Sequence, residues 1–326
     1  MANLLVSSGE PSGDRLIARV LPHLRREAFG MGAGASAAAG ADLVVRSDRL
    51  GVMGVLDVAG AAVRLARAWG TVTREAERRR PEVALLAGFT EFHQRLGAWL
   101  RRRGTRVVWC GAPQVWAWRS SRLRSLRGSA DALGVLLPFE EALWRSAGYD
   151  TRFVGHPCLE SCGWREPRSP GRLVVLCGSR PAEARRLARP LLRAAQLFVQ
   201  RTNGWEARTV VSPALPASSR EPLLREAREH GIEVEEGHPV EGAAPDLESY
   251  DLALVASGTA CLEAAMSGTP PVIAYRFDAL TALASRAVVK TAHIGLPNIV
   301  LGRRAFPELL QAEVTPEGIA RAAQEL

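Results

Sequence analysis

The sequence predicts an α/β protein made of two doubly wound, Rossmann-like halves facing a central cleft. Three observations point there. The chain has 326 residues, about twice an ordinary domain, so it can hold two separate cores. Short apolar runs alternate with stretches of helical period, the pattern of βαβ units around a parallel sheet. The alternation pauses once, at His156–Gly171, where three prolines and two cysteines break any period, as a linker does.

Taken in order, the apolar Asn3–Ser8 reads as a buried strand, followed by a Gly/Ser-rich turn and a helical stretch over Arg15–Arg26. Glu82–Ala87, Arg106–Cys110 and Ala132–Leu137 are three further strand-like runs, each set off by a loop or a helical period. Beyond the pause, Arg172–Cys177 starts a second series. Helical Pro181–Gln200, strands Ala207–Ser212 and Leu252–Ala256, helical Ala260–Ser267 and strand Pro271–Tyr275 follow it. The expected boundaries are a first domain over 1–157, a linker over 158–170 and a second domain over 171–326.

Composition narrows the class. At 47% hydrophobic and 23% charged, the chain is globular rather than disordered or collagen-like. No run approaches the roughly 18 apolar residues that span a bilayer, and no basic, then apolar, leader precedes Asn3. A cytoplasmic protein, soluble or peripheral, is expected. The formal charge is +8, and Lys290 is the single lysine among 42 basic residues. Positive charge favours phosphate-bearing partners, whether nucleotides or an anionic membrane face. Sparse aromatics, at 6%, and the lack of any zinc-finger, RRM or KH pattern argue against nucleic acid. Five cysteines form no paired zinc spacing and are expected as buried or free thiols.

Chemistry is expected at strand-to-helix junctions, where parallel sheets place their ligands. Ser7–Asp14 supplies glycines for a tight turn and a helix N-terminus, though an ordinary capped loop has the same spacing. Gly178-Ser179-Arg180 combines close backbone approach with a guanidinium, which suits a phosphate. Ser257-Gly258-Thr259-Ala260 opens a helix whose free amide hydrogens suit a diphosphate. Glu263, one turn in, is placed either to accept from ribose hydroxyls or simply to stabilise the helix's positive end. Val52–Trp69, with Arg64 and Arg67, reads equally as an amphipathic surface element or a core-packed helix. Alone, the closely spaced Trp116 and Trp118 would pass as core, and Asn298 as a turn residue.

Together these segments resemble one family. Gly9-Glu10-Pro11-Ser12-Gly13-Asp14, Leu50-Gly51-Val52-Met53-Gly54, Gln114-Val115-Trp116-Ala117-Trp118-Arg119, Leu137-Pro138-Phe139-Glu140, Phe153-Val154-Gly155-His156-Pro157, Gly178-Ser179-Arg180, Ser257–Ala260 with Glu263, and Leu296-Pro297-Asn298 are similar, in order, to strings of lipid-A-disaccharide synthases. The resemblance implies a GT-B glycosyltransferase of lipid A biosynthesis with an acceptor-binding first domain and a nucleotide-sugar-binding second domain. It implies an inverting transfer from UDP-2,3-diacylglucosamine to 2,3-diacylglucosamine 1-phosphate, forming a β-1′,6 bond and releasing UDP, with no cofactor and no metal. Gly178, Ser179, Arg180, Ser257, Gly258, Thr259, Ala260, Glu263 and Asn298 would then hold the nucleotide sugar, and Arg180 would neutralise the leaving group. Gly9, Glu10 and Ser12 would line the acceptor side. Further implications are a homodimer and a peripheral position on the inner face of the inner membrane, against an anionic lipid surface.

Two departures bear on the chemistry. The family's general-base Asp falls on Gly88, and its second Asp on Glu91. A glycine takes no proton, so either Glu91 or His93 serves as the catalytic base, or the chain is a divergent paralogue with another UDP-sugar or acceptor, or a catalytically silent nucleotide binder. The family's Gly-Pro-Arg-Met string is also replaced, near residue 35, by Gly/Ala-rich sequence.

Overall fold

The computed structural model describes residues 3–49, 58–115, 123, 126–160, 162, 171–212, 215–236, 246–276 and 292–326. The Leu50–Gly54 string, Trp116–Arg119, Lys290 and the start of the Val52–Trp69 stretch lie outside the described residues. The chain divides into two units, Met1–Pro157 and Cys158–Leu326.

In the first unit, strands β1 (Leu4–Ser8), β2 (Ala28–Gly32), β3 (Asp42–Arg46), β4 (Val83–Ala87), β5 (Arg106–Cys110), β6 (Ala132–Val135) and β7 (Asp150–Phe153) form one sheet. Their spatial order is β3-β2-β1-β4-β5-β6-β7, and every pairing is parallel. The helices are α1 (Pro11–Val20), α2 (Gly34–Ala38), α3 (Val58–Arg79), α4 (Thr90–Arg101) and α5 (Pro138–Ser146). Strand side chains alternate between faces, and both faces here are covered. Leu4 and Val6 pack with Leu16 and Ile17 of α1, whereas Leu5 packs on the face covered by Val72 of α3 and Leu96 and Leu100 of α4. Ser7 shares the parity of Leu5 and so points toward α4.

The first helix departs from the sequence expectation. It starts at Pro11 rather than Arg15, because the fixed φ of proline suits the first helical position. It yields at Leu21–His23 to a 3₁₀ turn containing Pro22. Ser12, Gly13 and Asp14 therefore belong to the opening turn of a helix.

The second unit carries β8 (Arg172–Leu176), β9 (Glu206–Val211), β10 (Glu233–Glu236), β11 (Leu252–Ala256), β12 (Pro271–Tyr275) and β13 (Glu308–Leu310). They lie in the order β10-β9-β8-β11-β12-β13, again all parallel. Helices α6 (Pro181–Arg201), α7 (Ala217–Glu229), α8 (Thr259–Met266), α9 (Leu296–Leu301) and α10 (Pro316–Glu325) accompany it. Leu187, Leu191, Ala195 and Phe198 of α6 share one core with Ile319, Ala320 and Ala323 of α10 and with Leu173 and Leu254 of the sheet.

Both sheets reverse their strand order once, between β1 and β4 and between β8 and β11. Ligands of open parallel sheets bind outside the carboxyl ends of the strands at such reversals. All five cysteines are free thiols. Among the described residues, no helix is long and apolar enough to cross a membrane.

Candidate functional site

At the reversal in the first unit, the loops leaving β1 and β4 touch. A Cβ built on Gly9 would stand 2.2 Å from the Phe89 ring, and one on Gly13 would stand 2.7 Å from the Ala87 carbonyl oxygen. Glycine at both positions lets the first turn of α1 close onto the end of β4. Glu10 and Ser12 remain exposed on that edge. Asp14 is buried beneath them and collects three backbone donors from the next helix: Ala33 N at 2.7 Å, Ala35 N at 3.0 Å and Ser36 N at 3.3 Å. The Ser8 hydroxyl adds a bond at 3.3 Å, and the Ser36 hydroxyl also donates to Asp14. The carboxylate thus caps α2, which has no side-chain cap of its own.

The two candidate bases part company. Glu91 is exposed in the first turn of α4, at the rim of a groove of about 1050 Å³ between α3 and α4. Leu65 and Trp69 form one wall of the groove, Phe92 and Trp99 the other, and the rings of Trp69 and Phe92 meet edge-on with centroids 5.7 Å apart. His93 corrects the sequence expectation. It is fully buried, its Nδ1 lies 2.6 Å from the Gly88 carbonyl oxygen and its Nε2 lies 2.8 Å from the Ser7 hydroxyl. With both nitrogens engaged and no exposed surface, His93 meets no acceptor hydroxyl; it fixes the loop after β4. Burial, partly offset by the Gly88 carbonyl, pushes its pKa down to about 4.

In the second unit, β8 and β11 are paired neighbours, with Leu176 opposite Val255. The loops Gly178–Arg180 and Ser257–Ala260 therefore leave adjacent strand ends, roughly 5 Å apart in the sheet. Gly178 takes φ +98°, a region glycine enters at no steric cost, and Arg180 caps α6 in extended conformation. The Arg180 guanidinium is 73% exposed and lies 2.7 Å from the Glu183 carboxylate. Gly258 precedes α8 in extended backbone, without a side-chain cap, and a Cβ built there would meet nothing within 4 Å. The opening amides of α8 take no bond from a side-chain cap. Ser257 is held by its hydroxyl, which donates to the Ile294 carbonyl at 2.9 Å. Glu263 sits one turn into α8, half-buried. Its charge helps raise the pKa of Cys158, which burial and neighbouring Cys162 already push up, to about 12.

Asn298 is the second correction. It is fully buried at the start of α9, and its side chain serves the protein alone. Nδ2 donates to Phe306 O at 2.9 Å and Glu308 Oε1 at 2.7 Å, while Oδ1 accepts from Ala305 N at 2.8 Å and Phe306 N at 2.9 Å. Two donor hydrogens and two lone pairs are thereby used, and the amide has nothing left for a nucleotide. Glu308 also accepts from Ile294 N and Gly295 N, so Asn298 and Glu308 together brace the segment that anchors Ser257. Sequence reading passed over Ser7, Asp14, Ser36 and Glu308 as functional supports. Ser7 and Asp14 carried a signal, as the two ends of the Ser7–Asp14 junction; Ser36 and Glu308 carried none. Among the described residues, no three His, Cys, Asp or Glu side chains gather to hold a metal ion.

The sequence profile of the LpxB family, lipid-A-disaccharide synthetase, matches residues 4–326. The lipid-A-disaccharide synthase of Myxococcus xanthus (strain DK1622) is 34% identical over 342 residues, covering 99% of this chain and 87% of that protein. That of Koribacter versatilis (strain Ellin345) is 32% identical over 354 residues, covering 100% and 88%. Among solved structures, the S. aureus MnaA–UDP co-structure superposes with a TM-score of 0.64 at 12% identity, covering 100% of this chain and 88% of that one. The calicheamicin glycosyltransferase CalG4 gives 0.55 at 16% identity, covering 100% and 89%. The sheets carry the fold likeness and the sequence carries the kinship: the chain has the GT-B fold and belongs to the lipid-A-disaccharide synthetase family, glycosyltransferases of lipid A biosynthesis.

Proposed function

We propose that the chain transfers 2,3-diacylglucosamine from UDP to the 6-hydroxyl of 2,3-diacylglucosamine 1-phosphate, with inversion to a β-1′,6 bond and release of UDP. The observation that carries this reading is the adjacency of Gly178–Arg180 and Ser257–Ala260 at the reversal of the second sheet. One loop offers a guanidinium, the other offers helix amides without a side-chain cap next to an open glycine, and a diphosphate needs both. In the reaction, the bond between the donor's anomeric carbon and the β-phosphate oxygen breaks and its electron pair leaves with UDP. Arg180 neutralises the charge that builds on that oxygen, Ser257, Gly258, Thr259 and Ala260 hold the diphosphate, and Glu263 accepts from the ribose hydroxyls.

The groove between α3 and α4 supports acylated substrates. Leu65, Trp69, Phe92 and Trp99 offer an alkyl chain a trough that starts at Phe89 and Glu91, beside the reversal of the first sheet. Gly9 and Ser12 border the same edge, where the acceptor sugar would lie. A trough for such chains and a formal charge of +8 support a peripheral position against an anionic membrane face.

Gly88 favours a second reading, transfer between other partners or nucleotide binding without transfer. Purified chain incubated with the two acylated substrates, with products resolved by mass spectrometry, decides between them. A tetra-acyl disaccharide phosphate with stoichiometric UDP supports the first reading. UDP affinity without any product from this pair or from a panel of UDP-sugars supports the second.

A further inference from the structure

The proposed transfer requires a group that takes the proton of the acceptor hydroxyl, and of the two candidates from the sequence one is enclosed and the other belongs to the groove between α3 and α4. His93 is buried with both nitrogens engaged. Glu91 is a groove residue on the first turn of α4. Position 88 itself is bare.

What fills the space beside Gly88 is a carboxylate from the other strand. A Cβ built on Gly88 has three nearest neighbours, and all belong to one side chain: Glu10 Cδ at 3.7 Å, Glu10 Cβ at 3.9 Å and Glu10 Oε2 at 3.9 Å. These are ordinary contact distances, so the Glu10 carboxylate lies where a side chain on residue 88 would project. Glu10 precedes α1, forms no side-chain cap with it, and is exposed. It is therefore an accessible carboxylate on the carboxyl edge of β1, next to the end of β4, with no structural duty to the helix that follows.

We propose that Glu10 is the proton acceptor of the transfer, supplying from β1 the carboxylate that Gly88 does not supply from β4. This rests on the transfer proposed above. As the acceptor oxygen forms its bond to the anomeric carbon, its proton passes to a Glu10 oxygen and the bond to the UDP oxygen breaks. Glu10 then releases the proton to solvent. No oxidant, reductant or further reactant enters the balance. Gly88 fits this arrangement, because its φ of +64° favours glycine and its missing side chain leaves Glu10 its room.

The test compares the parent chain with Glu10→Gln, Glu10→Asp and Glu10→Gln/Gly88→Asp, measuring kcat and KM for the acylated pair, UDP affinity by calorimetry, and thermal unfolding. Glu10→Gln is expected to lower kcat about 100-fold or more, with acceptor KM, UDP affinity and melting temperature close to parental. Glu10→Asp is expected to keep at least tenfold more turnover than Glu10→Gln. Gly88→Asp in the Glu10→Gln background is expected to restore at least tenfold, since aspartate tolerates left-handed backbone. Should the double variant fail to fold, the Gln/Asp comparison decides. Parental kcat in Glu10→Gln overturns the proposal, as does a Glu10→Asp variant no better than Glu10→Gln. An active parent with such variants removes Glu10 alone, whereas a parent that forms no product removes the transfer itself and Glu10 with it.

Discussion

The Ser7 hydroxyl and His93 Nε2 lie 2.8 Å apart with no solvent access to either residue. Gly88 O, 2.6 Å from Nδ1, only accepts, so Nδ1 carries the ring hydrogen and Nε2 accepts from Ser7. The imidazole is neutral, and it ties the end of β1, the loop after β4 and the start of α4 into one piece. Phe92 and Trp109 meet the ring edge-on at 5.8 and 5.9 Å. Glu10 and Gly88 therefore project from loops fixed by a common buried bond.

That neutral histidine makes the fold sensitive to acid. Its folded pKa, about 4, lies below the ordinary 6.5, so between those values the unfolded chain binds a proton that the folded chain does not. The stabilisation is complete above pH 6.5 and is lost as pH falls through the window, amounting at pH 5 to about 2 kcal/mol. Urea unfolding at pH 7 and pH 5 measures it. His93→Phe, which keeps an aromatic ring among Phe92 and Trp109, is expected to flatten this part of the slope. An unchanged slope in the variant would assign the acid sensitivity to another group.

Asp14 holds the neighbouring edge by a different device. Its carboxylate takes three amide hydrogens at the start of α2 and two hydroxyls. Asp14→Ala orphans those donors in a buried setting and is expected to cost about 2–4 kcal/mol. Asp14→Asn, which keeps the shape but replaces one acceptor oxygen by a donor, is expected to fall between. Denaturation midpoints of the two variants against the parent check the order.

How far the sequence could be read depended on what each element buries. β8, β11 and β12 are buried along most of their length, so they read as near-continuous apolar runs. β3 and β10 close the edges of their sheets and carry Asp42, Arg46, Glu233, Glu235 and Glu236, charge that blunts an edge and hides the strand from an apolar scan. β2 lacks an apolar run because two of its five residues are glycine. At the site, the strand-glycine-helix junction at Ser257–Ala260 was legible because its spacing is local. The role of His93 was not, since it depends on β1 lying beside β4, a pairing distant in sequence that brings Ser7 to His93.

Gly258 offers a test of the nucleotide junction that leaves the fold alone. Its backbone is extended and a Cβ there meets nothing within 4 Å, so Gly258→Ala is expected to melt with the parent. The added methyl takes up open space in the loop proposed to hold the diphosphate, and UDP is expected to bind about tenfold more weakly, a loss of about 1.4 kcal/mol. Undiminished UDP affinity would move the diphosphate away from α8.

Arg180 should separate turnover from stability. The Arg180 end of its ion pair with Glu183 is 73% exposed, and pairs open to solvent contribute at most about 1 kcal/mol. Arg180→Ala is therefore expected to melt within a few degrees of the parent. Loss of the guanidinium from the developing charge on UDP is expected to lower kcat about 100-fold or more. Steady-state kinetics beside a melting curve reads both, and parental kcat would take Arg180 out of the mechanism.

Asn298 should show the opposite pattern. All four of its hydrogen bonds end on Ala305, Phe306 and Glu308, and Glu308 in turn holds the amides of Ile294 and Gly295. Asn298→Ala leaves two backbone donors, one carbonyl and a carboxylate oxygen short of partners in a buried setting, for an expected cost of about 3 kcal/mol. Because Ser257 bonds to Ile294 O, the damage reaches the nucleotide junction only through the fold. At a temperature where the variant remains folded, UDP is expected to bind within about twofold of the parent, which is about 0.4 kcal/mol. Calorimetry and thermal unfolding on one preparation distinguish the roles: a variant that melts with the parent but loses UDP would return Asn298 to the nucleotide.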